Sequence, residues 1–405
     1  MPALVRRVAL RYYRSVRACD VRLGPLVALV GPNGSGKSNF LDALRFVRDG
    51  LRYTLEHAIR DRGGIDAVRT RSAGHPTHFG ISLHLDLDDG VEAIYEFRVE
   101  ALTKGAFAVQ RESCRVRRPF FQHEREEARF EVERGELKTS HTRLDSAVEP
   151  DRLFLTTVSA RPEFRPVYDA LSNMGFYNLN PSRIRDLQDP DPGHVLSGDG
   201  RNLAAVLREV ARNDPKAKER IEDYLKKIVP AVLSVDHCEV GPKETIEFLQ
   251  DVGQPNPWKF LAQSMSDGTL RALGILLAAY HGRTNGGRKV RLIGIEEPEA
   301  AIHPGAAQAV GEALSKASEH VQVLLTTHSP DLLEHTSFTE ENLRAVEWSR
   351  GSSVIAHVDP GSRSALRDGL YSAGELLRMK QLEPDPTEIV AKDHQAEFDF
   401  EPQST

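Results

Sequence analysis

The stretch GPNGSGKS, Gly31 to Ser38, has the residue types and spacing to grip a chain of phosphates. It fits G-x-x-x-x-G-K-[ST], with an apolar run before it and a helical pattern after it, which is the context the motif requires. Gly31, Gly34 and Gly36, with Asn33 and Ser35 between them, let backbone N–H groups turn inward around a phosphate. The helix opening at Gly36 adds the positive end of its dipole. Lys37 is placed to reach β- and γ-phosphate oxygens and the Ser38 hydroxyl to hold Mg²⁺, so ATP with Mg²⁺ is the expected ligand.

Three further segments carry chemistry. RLIGIEEPEAAIHP (291–304) is an apolar strand ending in two carboxylates. Glu296, at the strand tip, is placed to hold Mg²⁺, and Glu297 to polarise an attacking water. SMSDGTLRALGIL (264–276) puts Ser266 and Gly268 at the opening of an apolar helix, a second anion site of hydroxyl and free N–H groups. Because the chain's own phosphates already have a loop, that anion is expected to be the γ-phosphate held by a partner copy. QVLLTTHSPDLLEH (322–335) ends a buried strand at His328, which can hydrogen-bond the γ-phosphate. The bland readings are that Ser266 only caps its helix and that His328 is satisfied by nearby backbone.

These groups need a scaffold of strand tips. Residues 4–13 and 26–30 read as strands, and Phe40, Leu41, Leu44 and Val47 mark one face of the helix after the phosphate loop. Residues 78–135 alternate apolar and polar, as antiparallel strands do. From 151 to 229 the pattern is helical, clearest at 202–212 and 215–228, and strands return at 231–240 and 244–250. Helix 267–282, strand 290–296, helix 304–318 and strand 321–327 then alternate, which implies a parallel sheet covered by helices. The expectation is an α/β fold: a P-loop NTPase core from 1–50 and 255–360, an antiparallel β lobe over 51–150, a helical insert with returning strands over 151–254, and a disordered acidic tail over 383–405.

Composition narrows the function. A net charge of −6 gives no global pull toward nucleic acid, so DNA contact needs local patches. Candidates are Arg6, Arg7, Arg11, Arg14 and Arg17, and Arg115, Arg117 and Arg118 beside Phe120 and Phe121. Cys19, Cys114 and Cys238 fit neither a disulfide framework nor a CxxC metal site. No stretch approaches the ~20 apolar residues of a membrane span, and the start lacks a secretory pattern, so a cytoplasmic location without membrane is expected.

Taken together, GPNGSGKSN, SDGTLR, IEEPEAAIHP and TTHSP resemble, in this order, the Walker A, signature, Walker B with D-loop, and switch-histidine motifs of ABC-type ATPase heads of the RecF, SMC and OLD class. The resemblance covers roughly 1–50 and 255–345. It implies a head-to-tail homodimer, or a higher oligomer, in which Ser266 and Gly268 complete the partner's site, and work on DNA in repair, recombination or defence. Glu296 stands where ABC proteins usually have aspartate, Ala301 replaces a common histidine, His303 stands where transporter D-loops have aspartate, and no Q-loop glutamine is assignable. The Lys37-to-Glu296 spacing leaves no room for coiled-coil arms, and no nuclease constellation follows His328. Any nuclease or effector would therefore be a separate chain, which also permits an ATP-gated scaffold restraining that partner. A transporter subunit is disfavoured by the absence of LSGGQ.

Overall fold

The computed structural model describes residues 4–71, 77–118, 127–140, 147–281 and 290–389. Two sheets organise them. The first is antiparallel and seven-stranded: β1 (Val5–Tyr13), β2 (Val16–Arg22), β4 (His78–Asp86), β5 (Glu92–Ala101), β6 (Phe107–Arg117), β7 (Glu127–Glu133) and β8 (Glu136–Ser140), in the order β2-β1-β4-β5-β6-β7-β8. The second has six strands in the order β16-β15-β3-β14-β13-β9. These are β3 (Leu26–Val30), β9 (Gly175–Tyr177), β13 (Leu292–Glu296), β14 (Gln322–Thr327), β15 (Leu343–Ser349) and β16 (Ser352–His357). Pairing is parallel except between β15 and β16.

The short apolar strands of the second sheet are buried on both faces, as parallel strands require. Val27 and Leu29 join the core shared with the antiparallel sheet, while Leu26, Ala28 and Val30 join the core on the opposite face. Helix α1 (Lys37–Arg52) fills the space between the sheets with Phe40, Leu41, Leu44 and Val47. The other face is covered by α2 (Leu203–Asn213), α3 (Pro215–Ile228), α4 (Asp267–Tyr280) and α5 (Pro304–Ser318). A three-stranded sheet of β10 (Val232–Val240), β11 (Lys243–Gln250) and β12 (Trp258–Leu261) completes the insert.

Several boundaries differ from the sequence reading. β1 and β2, grouped there with the ATPase core, hydrogen-bond into the antiparallel sheet through β4. Residues 55–60 and 65–68 are helical rather than part of a β lobe. β9 lies inside the segment read as helical, yet it forms the edge of the parallel sheet beside β13. Residues 383–389, grouped with the acidic tail, are tied to the body. The Asp359 amide donates to the Glu383 carbonyl at 2.9 Å, and His357 Nδ1 pairs with Glu388 at 2.7 Å. Residues 390–405, like Phe120 and Phe121, lie outside the described residues.

One buried acid fastens the antiparallel sheet to the insert. Glu112 accepts hydrogen bonds from the Phe154 and Leu155 amides and from the Tyr95 hydroxyl. Burial nevertheless pushes its carboxyl up to about 7. A raised acid contributes stability that is full below its unfolded pKa and lost as pH rises through the folded one. Wild type should therefore lose up to about 3 kcal/mol relative to Glu112→Gln between pH 4.5 and 7. Melting curves of both proteins across that range check it.

Candidate nucleotide site and its strand-tip carboxylates

Register decides which groups meet. Thr327 of β14 pairs with Val30 of β3, and Thr326 pairs with Glu296 of β13. The ends of these three adjacent strands therefore lie on one edge of the sheet. From that edge leave the phosphate loop, the acidic turn and His328. In open α/β sheets this carboxyl edge is where ligands bind.

The phosphate loop is tightly seated. A Cβ on Gly31 would lie 2.0 Å from the Val346 carbonyl oxygen, and one on Gly36 would lie 2.0 Å from Ser353 Oγ. Both glycines have positive φ, so close approach and backbone conformation each exclude a larger residue. Ser15 Oγ shares a 2.7 Å hydrogen bond with Ser353 Oγ and accepts from Asn39 Nδ2, pinning the helix start to the β1–β2 turn. Asn33, Gly34 and Ser38 are exposed on the rim.

Lys37 is buried, and its ammonium donates to the Gly31 and Pro32 carbonyls at 2.7 and 2.9 Å. Desolvation lowers its pKa, against the pull of Glu297 and Glu299. The Ser38 hydroxyl hydrogen-bonds Glu296, whose pKa burial raises despite that bond. Ser35 Oγ is buried without a hydrogen-bond partner among the described residues. The Gly36, Lys37 and Ser38 amides likewise meet no backbone carbonyl there. Inward donors that lack acceptors, a lysine and a serine–glutamate pair fit a magnesium–polyphosphate. Mg²⁺ is commonly held by one or two protein oxygens plus phosphates rather than by a protein cage. No cluster of three or more metal-binding side chains occurs among the described residues.

Glu297 sits at φ 44°, an uncommon conformation for a residue with a side chain, costing of order 1 kcal/mol. Its amide donates to the Thr326 carbonyl at 3.0 Å. His328 Nδ1 stands 3.4 Å from the Glu297 carboxylate, so acid and histidine face each other across the strand tips.

Three residues here were not singled out in the sequence. Glu299, the third acid of EEPEA, accepts from Thr327 Oγ1 at 2.7 Å and from the His328 amide at 3.3 Å, tying the acidic turn to β14. Asn178 follows β9 and lines a small cavity with Asp42, Arg45 and Glu296. No periodicity marks it, because its strand is three residues long. Arg271, in SDGTLR, is buried behind the acidic turn.

Ser266 lies at the exposed start of α4, and its Oγ accepts from the Thr269 amide at 3.2 Å. It does cap its helix, which leaves its outer face open to solvent. A Cβ on Gly268 would lie 2.4 Å from the Ala301 carbonyl oxygen, so this glycine is required by packing within its own chain. His303 caps α5, taking the Gly305 amide at 3.1 Å. The proposed DNA-contacting arginines are largely engaged at home. Arg6 pairs with Asp86, Arg7 with Asp20, Arg14 with Asp42, and Arg115 and Arg117 with Glu127; Arg118 donates to the Pro162 carbonyl. Arg11 is buried.

The fold is a P-loop NTPase fold, that of an ATPase head of the ABC, SMC and OLD-like class. Residues 26–334 match the family described as AAA domain, putative AbiEii toxin, Type IV TA system, and the chain belongs to that family. An OLD nuclease of Thermus scotoductus is 24% identical over 398 residues, covering 90% of this chain. The chain spans 66% of that relative's length. In three dimensions it is similar to an SMC head bound to the C-terminal winged-helix domain of ScpA, with TM-score 0.55, 14% identity, and 89% of this chain and 99% of that one covered. An SMC head from Pyrococcus furiosus gives TM-score 0.55 and 12% identity, covering 91% of this chain and 100% of that one. No helix among the described residues is long and apolar enough to cross a membrane.

Gly31→Ala should abolish binding of a fluorescent ATP analogue, because a backbone carbonyl of β15 occupies the space its methyl needs. Gly34→Ala, which meets no atom within 4 Å, should cost only about 1 kcal/mol for its positive φ and keep measurable affinity. Titration of both variants by fluorescence anisotropy checks the contrast.

Proposed function

We propose that this chain binds ATP–Mg²⁺ at the strand-tip edge and hydrolyses it when two copies close head to tail. The observation that carries this reading is the meeting of the phosphate loop, Glu296, Glu297 and His328 at one sheet edge. Lys37 and the free amides of Gly36 to Ser38 take phosphate oxygens, with Asn33, Gly34 and Ser35 shaping the loop around them. Ser38 and Glu296 hold the metal, whose chemistry is to neutralise charge on the β- and γ-phosphate oxygens. Glu297 orients and deprotonates the attacking water, and His328 contacts the γ-phosphate. Ser266, solvent-facing at the positive end of α4, reads the γ-phosphate on the partner copy, with Gly268 beside it.

The ATP cycle serves DNA repair, recombination or defence against mobile elements. The similarity to an OLD nuclease supports that assignment. A second reading, ATP-gated control of a separate nuclease or toxin chain, draws support from the arginines. Most of those suited to phosphate contact are paired with the chain's own acids, which leaves a partner to engage the nucleic acid.

Glu297→Gln should accumulate an ATP-bound dimer on size exclusion and slow turnover by roughly 10²-fold or more. Lys37→Ala should remove both binding and dimer. A Glu297→Gln protein that hydrolyses ATP at the wild-type rate would sink the assignment of the base.

A further inference from the structure

The helix that begins at Ser266 is wired to the acidic turn of its own chain through one side chain. Arg271 lies one turn into α4, 8% exposed. Its Nη2 donates to the carbonyl oxygens of Glu296 and Glu297, at 3.0 and 3.1 Å. Its Nη1 donates to the Leu179 carbonyl, just past the β9 tip, at 2.5 Å. Its Nε finds no partner among the described residues. A buried guanidinium spent on three carbonyls, with no carboxylate in salt-bridge contact among the described residues, is a costly arrangement for stability alone. It is well suited to fixing backbone geometry, because the planar fork presents its donors at set angles.

That geometry is where fixing matters. Glu297 holds a φ of 44°, so its side-chain direction depends on clamping both peptide groups around it. The Thr326 carbonyl takes the Glu297 amide on one side. Arg271 takes the Glu296 and Glu297 carbonyls on the other. The same helix start presses Gly268 against the Ala301 carbonyl, at the far end of the acidic turn. Displacement of α4 therefore reaches that turn at both ends.

We infer that Arg271 is a positioning residue: it holds Glu297 in its hydrolytic orientation and couples that orientation to whatever engages the exposed start of α4. This rests on the ATPase reading above. In a closed dimer, a γ-phosphate seated at Ser266 of one copy would then set the base of that copy's own site, so the two sites fire in concert.

Arg271→Met and Arg271→Lys separate these possibilities. Affinity is measured with a fluorescent ATP analogue, and kcat and KM by phosphate release. Arg271→Met should lose roughly a hundredfold in kcat, as misplacement of a reacting group by about 1 Å does, while nucleotide affinity stays within about threefold. Arg271→Lys should fall between, since one ammonium cannot bridge the carbonyls a fork spans. In single turnover, Arg271→Met added to Glu297→Gln should cost little more than Glu297→Gln alone, because both act through one group. Wild-type kcat in Arg271→Met, or losses that multiply in the double variant, would overturn the inference. If Arg271→Met does not fold, Arg271→Lys carries the same comparison, and wild-type kcat there is equally fatal. A wild-type chain that binds no ATP sinks the ATPase reading itself. Wild-type hydrolysis that ignores Arg271 sinks only this one.

Discussion

The parallel pairing of β3, β14 and β13 is the constraint on which the site depends. Their register brings Val30, Thr327 and Glu296 to one edge, although Val30 precedes Glu296 by 266 positions (296 − 30) in sequence. Burial of both sheet faces makes that register hard to slip. A one-residue shift would turn Leu29 and Leu324 out of one core and Ala28 and Leu325 out of the other. The loops that leave the edge inherit their positions from strands that cannot move.

What the strands cannot fix, buried polar contacts do. Tyr13 donates to the Asp42 carboxylate at 2.7 Å, and Arg62 bridges Asp42 and Asp49, so α1 is locked against β1 just below the phosphate loop. Glu299 joins the acidic turn to Thr327 and His328. Such groups are held because leaving any one of them unpaired in a dry interior costs more than the bond gains. The site is therefore stiff in its frame. Ser38, His328 and Ser266 are exposed around that frame.

The similarity to SMC heads is one of fold, at 12 to 14% identity. The strand-tip motif of this chain has glutamate at both acidic positions, Glu296 and Glu297. The OLD nuclease relative extends well beyond the length shared with this chain.

By itself the sequence determined the phosphate loop, the strand-tip acids, His328 and the alternation of strands and helices in the second half. Each is written in local pattern: a fixed spacing, an apolar run that ends in charge, or a helical period. The helices expected at 202–212, 215–228, 267–282 and 304–318 stand at 203–213, 215–228, 267–280 and 304–318, within two residues at each end, for the same reason. Only the tertiary structure decided that β1 and β2 belong to the antiparallel sheet, that three-residue β9 closes the edge beside β13, and that 383–389 is bound to the body. It alone also revealed Arg271, Glu299 and Asn178. Partner choice between strands and hydrogen bonds to backbone carbonyls leave no periodic trace in a chain. They depend on which distant segments share a register, and that is settled by packing.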